Sequence, residues 1–354
     1  MYSRTSKLRN RSVIFYGRFP ALGEVGGVTT FTFNVANSFQ ENNIKYVDLY
    51  NSKDKKIPLN TKVIFLSKYR LLKAMQFLRY VLNPNTVHFF NFSSVAALVA
   101  FAFLPKIIGS RWIGIFHHGE QAKEFEKLNI FFRSLSRFGI RRFDRIGYLS
   151  AKQLHFFSKF FKGELLHITP HIPSSGYVDN TLKVSPSKTS ILISGFPSSI
   201  YRISETLSVL SNLYNKGNIL SVSVCIYGVS NLSEKNNLLS DIKKTVKLLP
   251  WVRLYSHLDS NEFMKVMQNC NLYLRMNSTD SFGLAVAEAI DNGLNVIATN
   301  VCERYPGTYL IGVDDFKLLE TSLAHYFNGG SLSTFLKIEK QTNEKTTISK
   351  FIFT

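Results

Sequence analysis

Cysteine is scarce in this chain of 354 residues, and its scarcity excludes two common ways of stabilising a fold. The three cysteines, Cys225, Cys270 and Cys302, are odd in number and show no C-x-x-C spacing. A disulfide framework needs paired cysteines, and a structural zinc site needs clustered ones. The sequence therefore predicts neither, and this cysteine usage favours a reducing cytosol.

Long apolar runs are missing too. The longest, 95–104, is followed by Pro105 and Lys106 and falls short of the roughly 20 residues that cross a bilayer. Near the N-terminus, the run 13–16 is too short for the core of a signal peptide. We therefore expect no transmembrane helix and no export signal.

Acidic residues are outnumbered: 24 Asp and Glu stand against 43 Lys and Arg, a formal net charge of +19. An excess of this size favours anionic partners, such as nucleic acid, phosphorylated ligands or a lipid surface. The excess is uneven, because residues 1–176 hold 26 basic and 9 acidic side chains, whereas 177–354 hold 17 and 15. The basic character therefore belongs to the first half of the chain.

Several ligand motifs are also absent. The glycine-containing loop 17–31 has the spacing of neither the dinucleotide fingerprint nor the P-loop, which argues against NAD and ATP sites of those types. The sequence has no Asp-x-Asp pair and no cluster of His or Cys ligands. It therefore implies no catalytic metal.

The chain does contain short apolar runs that alternate with helical patterns, in two series typical of βαβ units. The first series predicts strands at 13–16, 45–50, 86–90, 112–116, 145–149 and 165–168 and helices near 29–41, 94–103, 121–138 and 151–161. The second predicts strands at 190–194, 222–227, 252–255, 272–275 and 295–298 and helices near 203–214, 261–269 and 282–292.

Between the two series lies 169–176, whose proline, serine and glycine content is typical of an inter-domain connection. The sequence thus predicts an α/β protein of two doubly wound, Rossmann-like domains, 1–176 and 177–354, that face each other across a cleft. Ligands of such sheets bind beyond the carboxyl ends of the strands. The polar stretch from about 331 fits either a closing helix, packed back on the first domain, or a loose tail.

A segment of the first domain, 128–143, interleaves Phe, Leu and Ile with Arg133, Arg137, Arg141 and Arg142 at roughly helical spacing. Such a helix can dock on anionic lipid head groups. Alternatively, it can bury its apolar stripe in the core and leave its arginines in water. The basic excess of the whole domain favours the membrane interpretation.

Two features near predicted strand ends could carry chemistry in the first domain. Gly26 and Gly27 precede a predicted helix, whose first N–H groups can approach a phosphate or sugar oxygen. His118 follows the predicted strand 112–116, and an imidazole there can exchange a proton with a reacting hydroxyl near neutral pH. Glycines that only form a turn and a histidine that only caps one are the alternatives.

The stretch 274–299 is the most informative. A strand ends at Arg275, a loop holds Asp280, and the following helix presents Glu288 about two turns further on. The backbone N–H groups of 281–284 would point toward an anion. A carboxylate such as Glu288 suits the vicinal hydroxyls of a ribose.

These residues resemble the retaining family 4 glycosyltransferases of the GT-B fold. The motifs that carry the resemblance are Asp280-x7-Glu288, then Ala289, Gly293 and 296–299, and Gly26-Gly27-Val28 near the start. Among such enzymes, bacterial ones that assemble O-antigen or capsule repeat units look most similar, by the segments 274–280 and 302–307. The resemblance covers both domains, from about 13 to about 311.

The resemblance implies a peripheral enzyme of the cytoplasmic membrane face that moves a hexose from a nucleotide-sugar donor to a polyprenyl-diphosphate-linked glycan. Glu288 would hold the ribose, Asp280 would face the hydroxyls of the transferred sugar, and His118 would lie beside the anomeric carbon. The groups that would contact the diphosphate and sugar belong to Gly26, Gly27, Ser281, Phe282, Gly283 and Leu284. In such enzymes the leaving diphosphate helps to take the acceptor's proton, so neither an enzymic nucleophile nor a metal or other cofactor is implied.

Two departures from the family pattern stand out. The first acidic position is usually Glu, one methylene longer than Asp280. Members also commonly place an Arg and a Lys just after the first strand of the second domain, which in this chain is the segment 194–202. Gly195 in that segment is a further candidate for donor binding. Because a diphosphate needs a positive partner, Arg202 and Arg275 are the candidates for that role.

Other functions stay open on the sequence. The same fold could epimerise or hydrolyse a nucleotide sugar, or could bind one as an inactive scaffold, for which the altered Arg and Lys positions are the support. Nucleic-acid binding is the weakest alternative, because the basic residues form no recognised reader motif.

Overall fold

The computed structural model describes residues 12–21, 27–40, 44–50, 55–117, 121–172, 189–218, 220–227, 233–256, 258, 260–332, 348–349 and 351–352. Within these ranges the chain divides into two compact units. The first unit holds the described residues up to Ile172 together with those from Ile348 onward, and the second unit holds 189–332.

The first unit is a parallel sheet with helices between most of its successive strands. Its strands are β1 (Ser12–Gly17), β2 (Ile44–Asp48), β3 (Val63–Phe65), β4 (Thr86–Phe92), β5 (Arg111–Phe116), β6 (Arg145–Tyr148) and β7 (Glu164–His167). Its helices are α1 (Gly27–Ser38), α2 (Arg70–Val81), α3 (Val95–Phe103), α4 (Gln121–Lys127), α5 (Ile130–Arg141) and α6 (Ala151–Ser158). The strand order β3-β2-β1-β4-β5-β6-β7 changes direction between β1 and β4, which is where open sheets bind ligands.

The central strands of this sheet are apolar along their length because both faces are covered. Phe15 of β1 stacks on Phe89 of β4, with ring centroids 4.7 Å apart. The preceding residue, Ile14, points to the opposite face and belongs to the apolar cluster that contains Trp112. Alternate side chains of a strand face opposite sides, so a strand buried on both faces reads as a continuous apolar run.

The apolar stretch 95–104 forms α3, a helix of nine residues. Ser94 begins the helix, since its side chain accepts a hydrogen bond from the backbone N–H of Ala96 at 3.2 Å. Gly139 of α5 allows α3 to approach closely, because a Cβ there would lie 1.9 Å from the carbonyl oxygen of Leu98. In the part of the chain that the structure describes, no helix combines the length and the apolar character that crossing a bilayer requires.

The second unit is also a parallel sheet with intervening helices. Its strands are β8 (Thr189–Gly195), β9 (Leu220–Ile226), β10 (Val252–Ser256), β11 (Leu272–Arg275), β12 (Asn295–Thr299) and β13 (Thr308–Ile311). Its α-helices are α7 (Ile203–Asn215), α8 (Ser233–Lys247), α9 (Ser260–Gln268), α10 (Leu284–Asp291) and α11 (Phe316–Phe327). The strand order is β10-β9-β8-β11-β12-β13.

The two doubly wound parallel sheets confirm the predicted fold class, and each expected strand and helix is present within a few residues. The expected helix 121–138 is two helices, because Asn129 begins a new one by accepting from the backbone N–H of Phe132 at 3.0 Å. The sequence did not predict β3, α2, α8, β13 and α11. The strand β3 has only three residues, too few to show a period, and α2 exposes Leu71 and Met75, so its apolar residues are not all buried.

The described C-terminal residues complete the core of the first unit. Ile348, Phe351 and Ile352 are each 1% exposed and belong to the apolar cluster that contains Phe89. The ring of Phe351 meets that of Phe89 edge to face, with centroids 5.7 Å apart. The end of the chain therefore belongs structurally to the unit in which the chain begins.

Candidate functional site

Three neighbouring strands of the second unit end at the same edge of its sheet. Because β8, β11 and β12 lie side by side and run parallel, the residues at their carboxyl ends lie along one edge. Gly195 ends β8, Arg275 ends β11 and Thr299 ends β12. The loop after β11 holds Asp280, and α10, which follows it, carries Glu288 in its second turn. The predicted acidic pair therefore flanks the start of α10.

Asp280 lies between two arginines. Its Oδ2 accepts a hydrogen bond from Nε of Arg275 at 3.0 Å and another from Nη1 of Arg304 at 2.8 Å. Its Oδ1 accepts from the backbone N–H of Ser281 at 3.0 Å. The side chain of Asp280 is 12% exposed, and those of Arg275 and Arg304 are 8% and 1% exposed. We call Arg275, Asp280 and Arg304 the arginine–aspartate cluster.

Arg304 fastens the end of β12 to the loop after β11. Its Nε donates to the carbonyl of Thr299 at 3.0 Å, and its Nη1 also donates to the carbonyl of Phe282 at 3.2 Å. The hydroxyl of Thr299 donates to the carbonyl of Asn277 at 2.6 Å. Sequence reasoning missed Arg304 as a site residue, because a single arginine in a loop has no spacing that marks it. The resemblance in 302–307 was the one signal that could have found it.

Electrostatic interactions keep the cluster ionised. Burial alone would raise the pKa of Asp280, but the guanidinium groups of Arg275 and Arg304 lower it from 3.8 to about 2. Burial alone would lower the pKa of Arg275, but the carboxylate of Asp280 holds it well above its usual range. Asp280 is therefore a carboxylate near neutral pH, able to accept hydrogen bonds and unable to donate them.

The residue before α10 must be glycine. Gly283 has a φ of 82°, a left-handed conformation that side chains disfavour. A Cβ there would also lie 2.4 Å from Nη1 of Arg304 and 3.1 Å from Oδ2 of Asp280. Ser281 and Leu284 on either side are half-buried. The first N–H groups of α10 therefore lie next to the cluster, with the positive end of the helix dipole.

Helix α10 packs through small side chains. Its buried residues are Ala285, Val286, Ala287 and Ala289. Phe282, just before the helix, is buried as well, whereas Glu288 is half-buried. At 1.5 Å per residue, Glu288 stands about 6 Å along the helix axis from Leu284. A ligand that contacts both ends of this span needs the length of a phosphate group joined to a sugar.

Gly195 leaves room for an aromatic ring that supports Arg275. A Cβ at Gly195 would lie 2.1 Å from Cδ1 of Tyr201. The guanidinium carbon of Arg275 lies 5.2 Å from the centroid of the Tyr201 ring, within the range of cation–π attraction. Gly195 therefore acts on the site through Tyr201.

Arg202 faces a different part of the second unit. Its Nη2 pairs with Oδ1 of Asp314 at 2.7 Å, and its Nη1 donates to the carbonyl of Val313. The guanidinium carbon lies 5.7 Å from the ring centroid of Phe316. The structure thus directs this guanidinium to the loop after β13, whereas Arg275 lies beside Asp280.

A chain of buried hydroxyl groups extends from Arg275. Its Nη1 contacts the hydroxyl of Tyr273 at 3.4 Å, and that hydroxyl lies 2.9 Å from Oγ of Ser194. The hydroxyl of Tyr227 donates to the same Oγ. Burial raises the pKa of Tyr227 well above its usual range, so the hydroxyl of Tyr227 stays neutral near the charged cluster.

The predicted residues of the first unit are described only in part. Gly27 begins α1, whereas Gly26 and His118 lie outside the described residues, so their roles stay predictions. The neighbouring His117 is described, with its ring 5.1 Å from that of Phe31. Burial lowers the pKa of His117 from 6.5 to about 3, so this imidazole is neutral at pH 7.

The four arginines predicted to meet the membrane lie in α5 or at its C-cap. Arg133 and Arg141 donate to backbone carbonyls, while Arg137 and Arg142 lie over aromatic rings at 5.1 and 5.3 Å from the centroids. The exposed apolar side chains of the helix are Ile130, Phe131, Phe132 and Phe138. An apolar stripe in the core thus accounts for only part of α5, because its largest apolar side chains lie on the surface.

Residues 199–308 match the family model described as Glycosyl transferases group 1. The match starts at the 3-10 helix before α7, includes the whole arginine–aspartate cluster and α10, and ends at the start of β13. This part of the chain, called the group 1 segment below, is therefore similar to group 1 glycosyltransferases. No curated protein sequence is significantly similar to the chain.

Solved structures show that the group 1 segment belongs to a GT-B fold. The crystal structure of TarM superposes with a TM-score of 0.72 at 10% identity, over 97% of this chain and 98% of that one. Anabaena Alr3699/HepE in complex with UDP-glucose gives 0.65 at 11%, over 96% and 95%. The apo form of the lipopolysaccharide outer core galactosyltransferase WaaB gives 0.61 at 12%, over 97% and 99%. These likenesses confirm the predicted fold, and at such identities they show the fold alone.

Proposed function

We propose that this protein is a retaining glycosyltransferase that takes a hexose from a nucleotide-sugar donor. The observation that carries the proposal is the placement of Asp280 in the loop before α10 and of Glu288 in the second turn of α10, inside the segment that matches group 1 glycosyltransferases. A protein of the same fold, HepE, was solved with UDP-glucose. A donor of that chemical class has a ribose, a diphosphate and a sugar, and this edge of the sheet offers a group suited to each.

Each group has its own task in this proposal. Glu288 binds the vicinal hydroxyls of the ribose, since a carboxylate can accept two hydrogen bonds at once. The N–H groups of Phe282 to Leu284 and the positive end of the α10 dipole attract the diphosphate, whereas the N–H of Ser281, predicted to join them, already donates to Asp280. Oδ1 of Asp280 accepts one hydrogen bond in the described structure, from Ser281, and has capacity for a hydroxyl of the transferred sugar.

Retention follows if the acceptor hydroxyl attacks the anomeric carbon from the side that the diphosphate leaves. The new glycosidic C–O bond forms as the C–O bond to the diphosphate breaks, and an oxygen of the leaving diphosphate takes the hydroxyl proton. Catalysis then rests on orientation and on stabilising the charge of the leaving group. His118 and Gly26 keep the predicted roles beside the anomeric carbon and at the diphosphate. No cofactor besides the nucleotide-sugar substrate takes part.

We further propose that the acceptor is a polyprenyl-diphosphate-linked glycan of a bacterial O-antigen or capsule, used at the inner face of the cytoplasmic membrane. The name of WaaB assigns that protein to the lipopolysaccharide outer core. Residues 1–176 carry a formal charge of +17, and α5 adds exposed aromatic side chains to it. Basic charge attracts anionic head groups, and aromatic side chains enter the interface.

An inactive scaffold that binds a nucleotide sugar is the second candidate. One observation favours it: the arginine nearest to the family's usual phosphate-binding position, Arg202, is paired with Asp314. Sugar transfer by the purified chain that is lost in Asp280→Ala and Glu288→Ala would exclude the scaffold, whereas unchanged polysaccharide synthesis in cells with these variants would support it. Soluble product formed without an acceptor would indicate epimerisation or hydrolysis.

The proposal is tested first by thermal unfolding of the purified chain with UDP-, GDP- and dTDP-sugars. We expect one donor class to raise the melting temperature, because a ligand that binds only the folded state stabilises it. The rise should vanish in Glu288→Ala and persist in Glu205→Ala, which removes an exposed glutamate of the same unit. A rise that is equal in both variants would exclude Glu288 from the donor site.

A further inference from the structure

We infer that Arg275 binds the diphosphate of the donor and that Asp280 holds the two guanidinium groups in place. Arg304 adds positive charge without contacting the diphosphate. The inference rests on the proposed function, because it assigns the residues that neutralise the diphosphate of that same donor. Neither Arg304 nor this role of Asp280 follows from the family pattern given by the sequence.

The arginine–aspartate cluster has an excess of one positive charge. Two guanidinium groups face one carboxylate, and within the described residues Asp280 is the one carboxylate in salt-bridge contact with either arginine. The three side chains are between 1% and 12% exposed. A charge removed from water is costly unless it is paired, so a cluster with this composition is suited to an anionic ligand.

The two arginines are held in different ways. Arg304 is 1% exposed and uses its Nε, Nη1 and Nη2 on acceptors of the surrounding loops, so it can act on a ligand only through its charge and its hold on Asp280. Arg275 donates from Nε to Asp280 at 3.0 Å, contacts the Tyr273 hydroxyl from Nη1 at 3.4 Å, and donates from Nη2 to the amide oxygen of Asn277 at 3.2 Å in the amide orientation that satisfies both residues. Among the described residues, one N–H of Nη1 and one of Nη2 have no acceptor. Its guanidinium is thus oriented but not saturated, as a group that contacts a diphosphate must be.

The position of the cluster supports the same role. It lies against the start of α10, where backbone N–H groups and the helix dipole also favour negative charge. Residues 278–281 and Leu284, which surround it, are half-buried and not sealed from solvent. The guanidinium of Arg202 is bound to Asp314 instead. In the family pattern the positive charge comes from residues just after β8. Here it comes from Arg275 at the end of β11 and from Arg304 after β12.

The competing interpretation is that the cluster only fastens a loop. The two interpretations predict opposite effects of Asp280→Asn on the binding of a nucleoside diphosphate. Asp280→Asn raises the net charge of the cluster from one to two positive charges at nearly constant shape. Arg275→Gln lowers it to zero. If the arginines neutralise the diphosphate, the first variant should bind a nucleoside diphosphate more tightly and the second more weakly. If the cluster only fastens the loop, both variants should bind more weakly.

The experiment is calorimetric titration of UDP, GDP and dTDP into the full-length chain and its variants. For the nucleotide that the wild type binds, we expect Arg275→Gln to weaken binding about tenfold or more, the usual worth of a charged hydrogen bond. Asp280→Asn should strengthen binding severalfold and steepen its loss with added salt. The control is Arg253→Gln, an exposed arginine on β10, which should leave binding unchanged.

Weaker binding in both cluster variants would overturn the inference, and so would weakening by Arg202→Gln with Arg275→Gln unaffected. Circular dichroism establishes which variants fold. If Arg275→Gln does not fold, the comparison of wild type with Asp280→Asn decides, because a loosened loop cannot tighten binding. Failure of the wild-type chain to bind any nucleoside diphosphate would contradict the proposed function itself.

Discussion

Asp280 shows how two neighbouring guanidinium groups change the electrostatics of a buried carboxyl group. Its pKa in the folded chain, about 2, lies below the ordinary 3.8, because the attraction of Arg275 and Arg304 outweighs burial. A carboxyl whose pKa is lowered by folding stabilises the folded state above its ordinary pKa, and that stabilisation is lost as the pH falls through the lowered value. Lowering the pKa from 3.8 to about 2 corresponds to about 2 kcal/mol.

At pH 7, Asp280→Asn should therefore lower the free energy of unfolding by about 2 kcal/mol, and the difference from wild type should shrink between about pH 4 and pH 2. Urea unfolding of both chains at a series of pH values measures it. A difference that stays constant over this range would show that the carboxylate is not held ionised by the two arginines.

Gly283 offers a second prediction for a single residue, with a matched control in the same unit. Gly283→Ala should destabilise the fold by about 1–3 kcal/mol through backbone strain, and the clash with Arg304 should add to that. Gly217 has a φ of 93° and nothing within 4 Å of an added Cβ, so Gly217→Ala isolates the backbone strain. Equal losses of unfolding free energy in the two variants would show that contact with the cluster does not require glycine.

At the scale of elements, the sequence predicted most of the strands and helices, but it missed α2, α8 and α11 although their apolar residues recur at helical spacing. It predicted β11, the loop after it and α10, because apolar runs mark the strand and the helix, and glycines lie at the ends of the helix. It could not show that Asp280 would be paired with Arg304, since that contact joins residues 24 positions apart through the side-by-side placement of β11 and β12. It did identify Arg275 as a second candidate for the diphosphate beside Arg202.

Helix α5 is the element on which the membrane proposal depends. Phe131→Ser and Phe138→Ser should leave the melting temperature nearly unchanged, because both side chains are already exposed. They should weaken sedimentation of the chain with vesicles that contain anionic lipid, because aromatic side chains at the interface strengthen binding. Leu248→Ser changes an exposed leucine of the second unit and serves as control. Unchanged vesicle binding by the α5 variants would remove this helix from the membrane contact.

At the scale of the whole molecule, the chain returns at its C-terminus to the unit where it began. Phe351→Ala should lower the free energy of unfolding by about 3–5 kcal/mol, the usual effect of removing a buried aromatic ring. Phe103→Ala removes a phenylalanine that is 69% exposed in the same unit, so it should cost far less. Denaturant unfolding followed by circular dichroism compares them. Equal losses would mean that the C-terminal residues do not stabilise the first unit.

The uneven distribution of net charge along the chain is also a property of the whole molecule. Residues 1–176 carry most of the net charge of +19, whereas the arginine–aspartate cluster lies in the nearly neutral remainder. Under the proposed function, the general basic excess attracts the lipid-linked acceptor. The diphosphate of the donor is instead recognised by a few buried charges.

The most direct test of the central claim is the fate of the donor's sugar. The purified chain is incubated with a nucleotide sugar labelled in the sugar and with lipid extracted from the membranes of the source cells. We predict that the label enters a lipid-extractable product with the anomeric configuration of the donor, and that Glu288→Ala abolishes this transfer. Label recovered as free sugar, or a product of inverted configuration, would contradict a retaining glycosyltransferase.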